Sequence, residues 1–232
     1  MKTTAIILAG GRGSRMKSDI PKQYLLIGGK PLLYHTLVAF DRPCIDEIVL
    51  VCGLGDEETV KNIVNEAGIG KDIKVVFGGK ERYDSVYNAL LACGQADYVL
   101  IHDGARCCIS PALIDRIAAC GTEGKNVIAA VPVNDTVKVV DKDGSVKATL
   151  DRSSLFAVQT PQAFSYGAII CAHEAFRAEL AKGGEKAMGI TDDSMIMERF
   201  SDEKVFIIEG EYSNIKVTTP ADLELAERYL GT

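Results

Sequence analysis

Short apolar runs alternate with amphipathic stretches up to about residue 131. Runs at 5–8, 47–51, 74–77, 98–102 and 126–131 are long enough for strands and too short for helices. Between them, Val60, Ile63, Val64 and Ala67 repeat at i, i+3, i+4, i+7, one face of a helix. Ser110-Pro111 reads as an N-cap followed by proline at the first helical position, opening a helix to about Ala119. Alternation of this kind predicts an α/β chain: a Rossmann-like, mostly parallel sheet with helices on both faces.

The pattern changes after Pro132. Residues 136–140 and 145–150 alternate apolar and polar side chains around Asp141-Lys142-Asp143-Gly144, a hairpin signal. A projecting β-arm over about 134–155 follows, within a single domain of 1–232. Further on, the spacing predicts a strand at 156–159, helices at 167–180 and after Thr191, and a strand at 205–209. A last helix opens at Thr219-Pro220, with Asp222 and Glu224 placed to complement its dipole.

Composition narrows the function classes. The 232 residues are 47% hydrophobic and 25% charged, ordinary for a globular chain. A net charge of −6 argues against nucleic acid as a partner, while a local cluster of cations still serves a small anion. No apolar run spans a membrane and no leader pattern precedes the first strand, so a cytoplasmic location is expected. The seven cysteines include no Cys-x-x-Cys pair, which suits a reducing compartment. Cys107-Cys108 reads as buried apolar residues rather than a redox or metal site.

The first strand runs into Gly10, Gly11 and Gly13, with Arg15 and Lys22 beyond them. Glycines let backbone N–H groups approach phosphate oxygens, and nearby cations hold polyphosphate charge. Neither the Walker loop nor the dinucleotide fingerprint is present. The bland alternative is a surface turn with incidental cations. In a parallel sheet, ligands bind at the carboxyl ends of strands, where this loop and His102-Asp103-Gly104-Ala105-Arg106 both fall. There Asp103 suits a ribose hydroxyl or a Mg²⁺ held mainly by phosphate, against a helix cap or a salt bridge with Arg106. Arg152 and Lys216 also stand at turn or strand boundaries. Asp141 and Asp143 read as turn formers rather than metal ligands, and Thr191 as an N-cap before acids. Three histidines and no Gly-x-Ser-x-Gly elbow argue against a nucleophilic triad, and a reaction needing mainly charge stabilisation, as in nucleotidyl transfer, fits the inventory best.

The motifs in order resemble a family. Leu8-Ala9-Gly10-Gly11 through Met16, with Pro21-Lys22-Gln23, resembles sugar nucleotidyltransferases. Ile101 to Arg106, Gly78-Gly79 with Arg82 and Ser85-Val86, Asp135 to Lys138, Asp151-Arg152, Gln159 to Gln162 and Asn214-Ile215-Lys216 narrow this to cytidylyltransferases acting on polyol phosphates. The resemblance covers essentially the whole chain and implies the nucleotide-diphospho-sugar transferase fold. It implies that CTP and methylerythritol phosphate, with Mg²⁺, give a CDP-linked alcohol and pyrophosphate in non-mevalonate isoprenoid synthesis. Arg15 and Lys22 would stabilise the transition state, while Arg152 and Lys216 position the acceptor. Ala9, Gly10, Gly11, Gly13, Gly79, Lys80 and Ser85 would bind the nucleotide, and Asp103 would contact ribose or metal. Arg106, Thr136, Thr160 and Thr191 complete the implied substrate set, and the arms would interlock in a homodimer.

Ala9-Gly10-Gly11 replaces a usual Ala-Ala-Gly, closer to ribitol 5-phosphate cytidylyltransferases; Lys80 and Phe156 replace a common acid and a frequent Trp. The 135–138 and 151–155 motifs favour methylerythritol. A non-catalytic nucleotide sensor and an NAD-dependent oxidoreductase are the competing classes.

Overall fold

The computed structural model describes residues 1–11 and 20–231. Chain order begins with β1 (Thr3–Ala9), a short hairpin β2 (Leu26–Ile27) and β3 (Lys30–Pro31), then α1 (Leu32–Phe40). Next come β4 (Glu47–Cys52), α2 (Glu57–Ala67), β5 (Asp72–Phe77), α3 (Arg82–Ala92), β6 (Tyr98–Asp103), α4 (Pro111–Thr122) and β7 (Asn126–Pro132). The arm is β8 (Lys138–Val140) with β9 (Val146–Thr149), followed by β10 (Phe156–Ser165) and α5 (Tyr166–Ala181). The chain then forms α6 (Asp193–Phe200), β11 (Val205–Glu209) and α7 (Pro220–Leu230).

Seven strands form one sheet in the order β11-β7-β10-β6-β1-β4-β5. All pairings are parallel except those of β10, which runs antiparallel to both β6 and β7. The parallel α/β architecture expected from the sequence is therefore present. Successive side chains on β1 point to opposite faces. Ile7 joins Leu50, Leu100, Leu37 and Ile114 in one core layer, while Ile6 joins Val49, Ile101, Leu90 and Phe176 in the other. Burial on both faces explains why these strands read as continuous apolar runs rather than alternating ones. Each such fully buried side chain contributes roughly 1.5–3 kcal/mol.

A third cluster packs Ile27 and Leu32 against Cys107, Cys108, Val217 and Ala226. Both cysteines are free and buried, behaving as small apolar residues. This cluster fastens the segment after β6 to the start of α7, bringing distant stretches to one edge of the sheet.

Several expectations need correction. β10 is ten residues long, not four, and its pairing with β7 breaks register between Val158 and Gln162. The cap of α6 is Asp192, whose carboxylate accepts the Met195 N–H (3.0 Å); Thr191 instead points its hydroxyl at the Met195 sulfur (3.9 Å). A carboxylate is the stronger acceptor and wins the position. In α7, Thr219 and Asp222 form a capping box, and Glu224 lies outside the first turn.

The arm is a two-stranded hairpin whose residues are exposed throughout. Asp143 accepts from Ser145 N–H (3.0 Å) and Oγ (2.7 Å), the turn-forming role expected of it.

Candidate active site

The carboxyl ends of β1 and β6 are neighbours, so residues 9–11 and 103–106 share one rim. The Gly104 N–H donates to the Leu8 carbonyl (2.9 Å), and the Val217 N–H donates to the Ala105 carbonyl (2.9 Å). A Cβ on Gly104 would stand 3.0 Å from the Leu8 oxygen, so glycine permits this approach. Lys22 Nζ donates to the Val217 carbonyl (3.0 Å), which sets Lys22 beside Lys216. The implied phosphate cation at the front and the implied acceptor cation near the end thus meet.

Asp103 is the hub. Lys216 Nζ lies 2.7 Å from Oδ2, Arg82 Nε 3.6 Å from Oδ1 and Arg106 Nε 3.9 Å from Oδ2. Burial alone would raise the Asp103 pKa; Arg82, Lys216 and Arg106 overcome it and hold the carboxyl well below its usual range. Arg82 also pairs with Asp193 through Nη1 and Oδ2 at 2.7 Å. Burial opposes the Arg82 charge, but Asp193 and Asp103 outweigh it and keep the guanidinium protonated.

His102 is fully buried and orders the loop. The Asp103 N–H donates to Thr160 Oγ1 (3.1 Å), which lies 3.0 Å from His102 Nδ1. His102 Nε2 is 3.2 Å from the Arg106 carbonyl. A carbonyl only accepts, so Nε2 carries the proton, Nδ1 accepts, and the Thr160 hydroxyl donates. Burial pushes the His102 pKa down to about 4, against the pull of Asp103. Thr160 sits in the register break of β10, where an irregular strand aims side chains at the rim.

Two cavities adjoin this hub. The larger, about 500 Å³, is lined by Gly10, Gly11, Lys22, Gly79, Lys80 and Ser85 among others. The smaller, about 240 Å³, is lined by Arg106, Gln159, Thr160, Gln162, Thr191 and Asp192 among others. Arg82, Asp103 and Lys216 line both and form the wall between them. Gly79 packs against the Asp84 side chain so closely that a Cβ would collide, and its N–H donates to Ser85 Oγ (3.0 Å).

The structure thus brings together Gly10, Gly11, Lys22, Gly79, Lys80, Ser85 and Asp103 with Arg106, Thr160, Thr191 and Lys216. Ala9 does not line either cavity; it is 2% exposed, and its carbonyl accepts from Gln23 Nε2 (2.6 Å). Arg152 and Thr136 lie on the exposed arm segment, outside both cavities, with Arg152 Nη1 donating to the Asn134 carbonyl (2.7 Å). Gly13 and Arg15 lie outside the described residues. Arg82 and Asp193 were not assigned roles from the sequence. A signal for Arg82 existed: it opens α3, where a cation meets the positive end of the helix dipole and needs carboxylates to hold it.

Asp103 is the carboxylate common to both cavities, and among the described residues no cluster of three or more metal-ligating side chains occurs. That donor set fits a divalent ion carried mainly by phosphate oxygens rather than an all-protein cage. No helix among the described residues is long and apolar enough to cross a membrane.

The IspD family model, described as 2-C-methyl-D-erythritol 4-phosphate cytidylyltransferase, matches residues 3–232. A relative of that name from Lachnospira eligens is 41% identical over 228 residues, covering 98% of each chain. Another from Clostridium botulinum is 44% identical over 232 residues, covering 99% of this chain and 97% of the relative. A solved structure of 4-diphosphocytidyl-2C-methyl-D-erythritol synthase from Anaerococcus prevotii superposes with a TM-score of 0.85 at 37% identity, covering 100% of this chain and 96% of the other. The Francisella tularensis 2-C-methyl-D-erythritol 4-phosphate cytidylyltransferase gives 0.79 at 32% identity, covering 99% of this chain and 100% of the other.

Proposed function

The chain belongs to the 2-C-methyl-D-erythritol 4-phosphate cytidylyltransferase family, and from that premise we propose how its own residues carry out cytidylyl transfer. It is a CTP-dependent nucleotidyltransferase that joins CTP and methylerythritol phosphate, releases pyrophosphate, and serves isoprenoid biosynthesis. The observation carrying the residue assignment is the shared wall: one cavity on each side of Arg82, Asp103 and Lys216. CTP occupies the larger cavity, its base near Gly79, Lys80 and Ser85 and its triphosphate near Gly10, Gly11 and Lys22. The acceptor phosphate occupies the smaller, facing Arg106, Thr160, Thr191 and Lys216.

An acceptor phosphate oxygen attacks the α-phosphorus. The new P–O bond forms as the bridge to the β-phosphorus breaks, and pyrophosphate departs with the electron pair. A phosphate monoester loses its second proton near pH 6, so the nucleophile needs no general base. Lys22, with Arg15, neutralises charge growing on the leaving group. Lys216 holds the acceptor in line, where proximity replaces an improbable encounter. A Mg²⁺ held by Asp103 and the phosphates would supply further charge neutralisation.

Arg152 reaches an acceptor site in this reading only across a homodimer, from the arm of a second copy. The exposed Val139, Val140 and Val146 supply the apolar surface such an arm exchange would cover. The reading includes a cytoplasmic setting.

Pyrophosphate release from CTP should require both Mg²⁺ and methylerythritol phosphate. Equal or faster turnover with ribitol 5-phosphate would reassign the acceptor. CTP binding without turnover on either alcohol would make the protein a sensor.

A further inference from the structure

Behind the shared wall lies a buried chain of charges that cytidylyl transfer, as derived above, does not use. Asp193 is fully buried, at 0% exposure. Its Oδ2 lies 2.7 Å from Arg82 Nη1, and its Oδ1 lies 3.7 Å from His173 Nε2. His173 is equally buried, and neither of its ring nitrogens has a hydrogen-bond partner. Arg82 opens α3 and Asp193 opens α6, so two helix N-termini converge here. A carboxylate is favoured at such an end and a guanidinium is not, so Arg82 depends on Asp193 to stay.

Gln162 fixes the Asp193 backbone. Its Oε1 accepts the N–H groups of Asp193 and Ser194 (both 3.0 Å), while its Nε2 donates to Asp192 Oδ2 (2.8 Å). The Asp193 backbone therefore has little freedom, and its carboxylate meets Arg82 as a close ion pair rather than through a well-formed hydrogen bond.

The consequence falls on Asp103. Arg82 stands 3.6 Å from Asp103 Oδ1, a long contact, whereas Lys216 stands 2.7 Å from Oδ2. An Arg free to choose would close on Asp103 with the paired geometry that guanidinium and carboxylate favour. It would then compete with Lys216 for the same carboxylate and displace that lysine from its place between the cavities.

We propose that Asp193 is a positioning residue that acts through Arg82: by holding the guanidinium back, it keeps Asp103 paired with Lys216 and Lys216 aimed at the acceptor. This rests on the cytidylyltransferase reading given above. Asp193 touches no substrate in this scheme, and Arg82 transmits its effect.

The experiment is a double-mutant cycle on kcat and on KM for each substrate, using Arg82→Gln, Asp193→Asn and the pair together. Asp193→Asn should cost about thirtyfold or more in kcat/KM for methylerythritol phosphate and less than about threefold in CTP affinity measured by calorimetry. Once Arg82 is Gln, adding Asp193→Asn should change kcat/KM by less than about threefold, because its effect has no carrier left. Losses that multiply in the double variant would overturn the proposal, as would equal losses on both substrates with a matching fall in unfolding temperature. Should Asp193→Asn fail to fold, Asp193→Ser decides in its place: a selective acceptor loss that Arg82→Gln relieves in the double variant sustains the proposal, and a loss that Arg82→Gln leaves in full overturns it. Wild-type turnover in the same series separates this outcome from failure of the enzymatic reading, since CTP binding is read independently of turnover.

Discussion

The rim of the sheet and the β-arm carry the two halves of the implied acceptor machinery, yet they are built in opposite ways. On the rim, Asp103 is 11% exposed in its side chain, with three cations around it and its backbone N–H bound by Thr160. On the arm, Val140 and Val146 face each other at 57% and 63% exposure, and the strands lie outside the main sheet. The rim is fixed by its own chain. A lone two-stranded hairpin with exposed valines is marginal by itself and gains order from whatever covers it. Charge stabilisation needs preorganised groups, which the rim supplies. In the homodimer proposed above, a residue such as Arg152 depends instead on where a second molecule places it.

Three experiments sharpen this contrast, in descending order of effect. Lys22→Ala should lower kcat/KM by a factor of hundreds or more, about 3 kcal/mol, by analogy with removal of one transition-state donor. Steady-state kinetics would check it, and an effect under about tenfold would take Lys22 off the rim's catalytic list.

Acid should unravel the rim through His102. Its folded pKa is depressed to about 4 from an ordinary 6.5, so between those values the unfolded chain binds a proton that the folded chain refuses. Stability therefore falls as pH drops through that window, by about 3 kcal/mol in full. Urea unfolding at pH 7 and pH 4 measures it, and His102→Gln should remove most of the slope. An unchanged slope would mean that His102 is not held neutral.

The arm should answer differently. Val140→Asp combined with Val146→Asp should halve the mass seen in sedimentation and cut turnover about tenfold or more by withdrawing Arg152 from its partner. The unfolding midpoint should move little, since both positions are exposed. A dimer with unchanged turnover would leave the arm without the role proposed for it.

Much of this architecture is legible in the linear pattern. The five runs up to residue 131 are strands because each is buried on both faces, which erases alternation and leaves a continuous apolar signal. The hairpin at 141–144 is legible because its turn demands Asp and Gly at particular places. Lys22, Asp103 and Lys216 are legible as chemistry, but their meeting is not: the Lys22–Val217 hydrogen bond joins residues 195 apart. Arg82 and Asp193 are not legible, because each looks ordinary at a helix start until the neighbouring helix is placed. Ala9 differs from the glycines after it, since its carbonyl accepts from Gln23 and its side chain lies in the core. The length of β10 was hidden by its irregularity, which interrupts the pattern at the point where the strand bends toward the rim.

That bond between Lys22 and Val217 also bears on how the protein comes to exist. During synthesis, β1 through β6 leave the ribosome before the segment around residue 217. The wall between the cavities lacks Lys216 until that late segment docks, so a chain short of it has an unfinished wall. On the proposed reading, CTP favours the completed state, because a ligand that binds only the finished rim stabilises it by mass action.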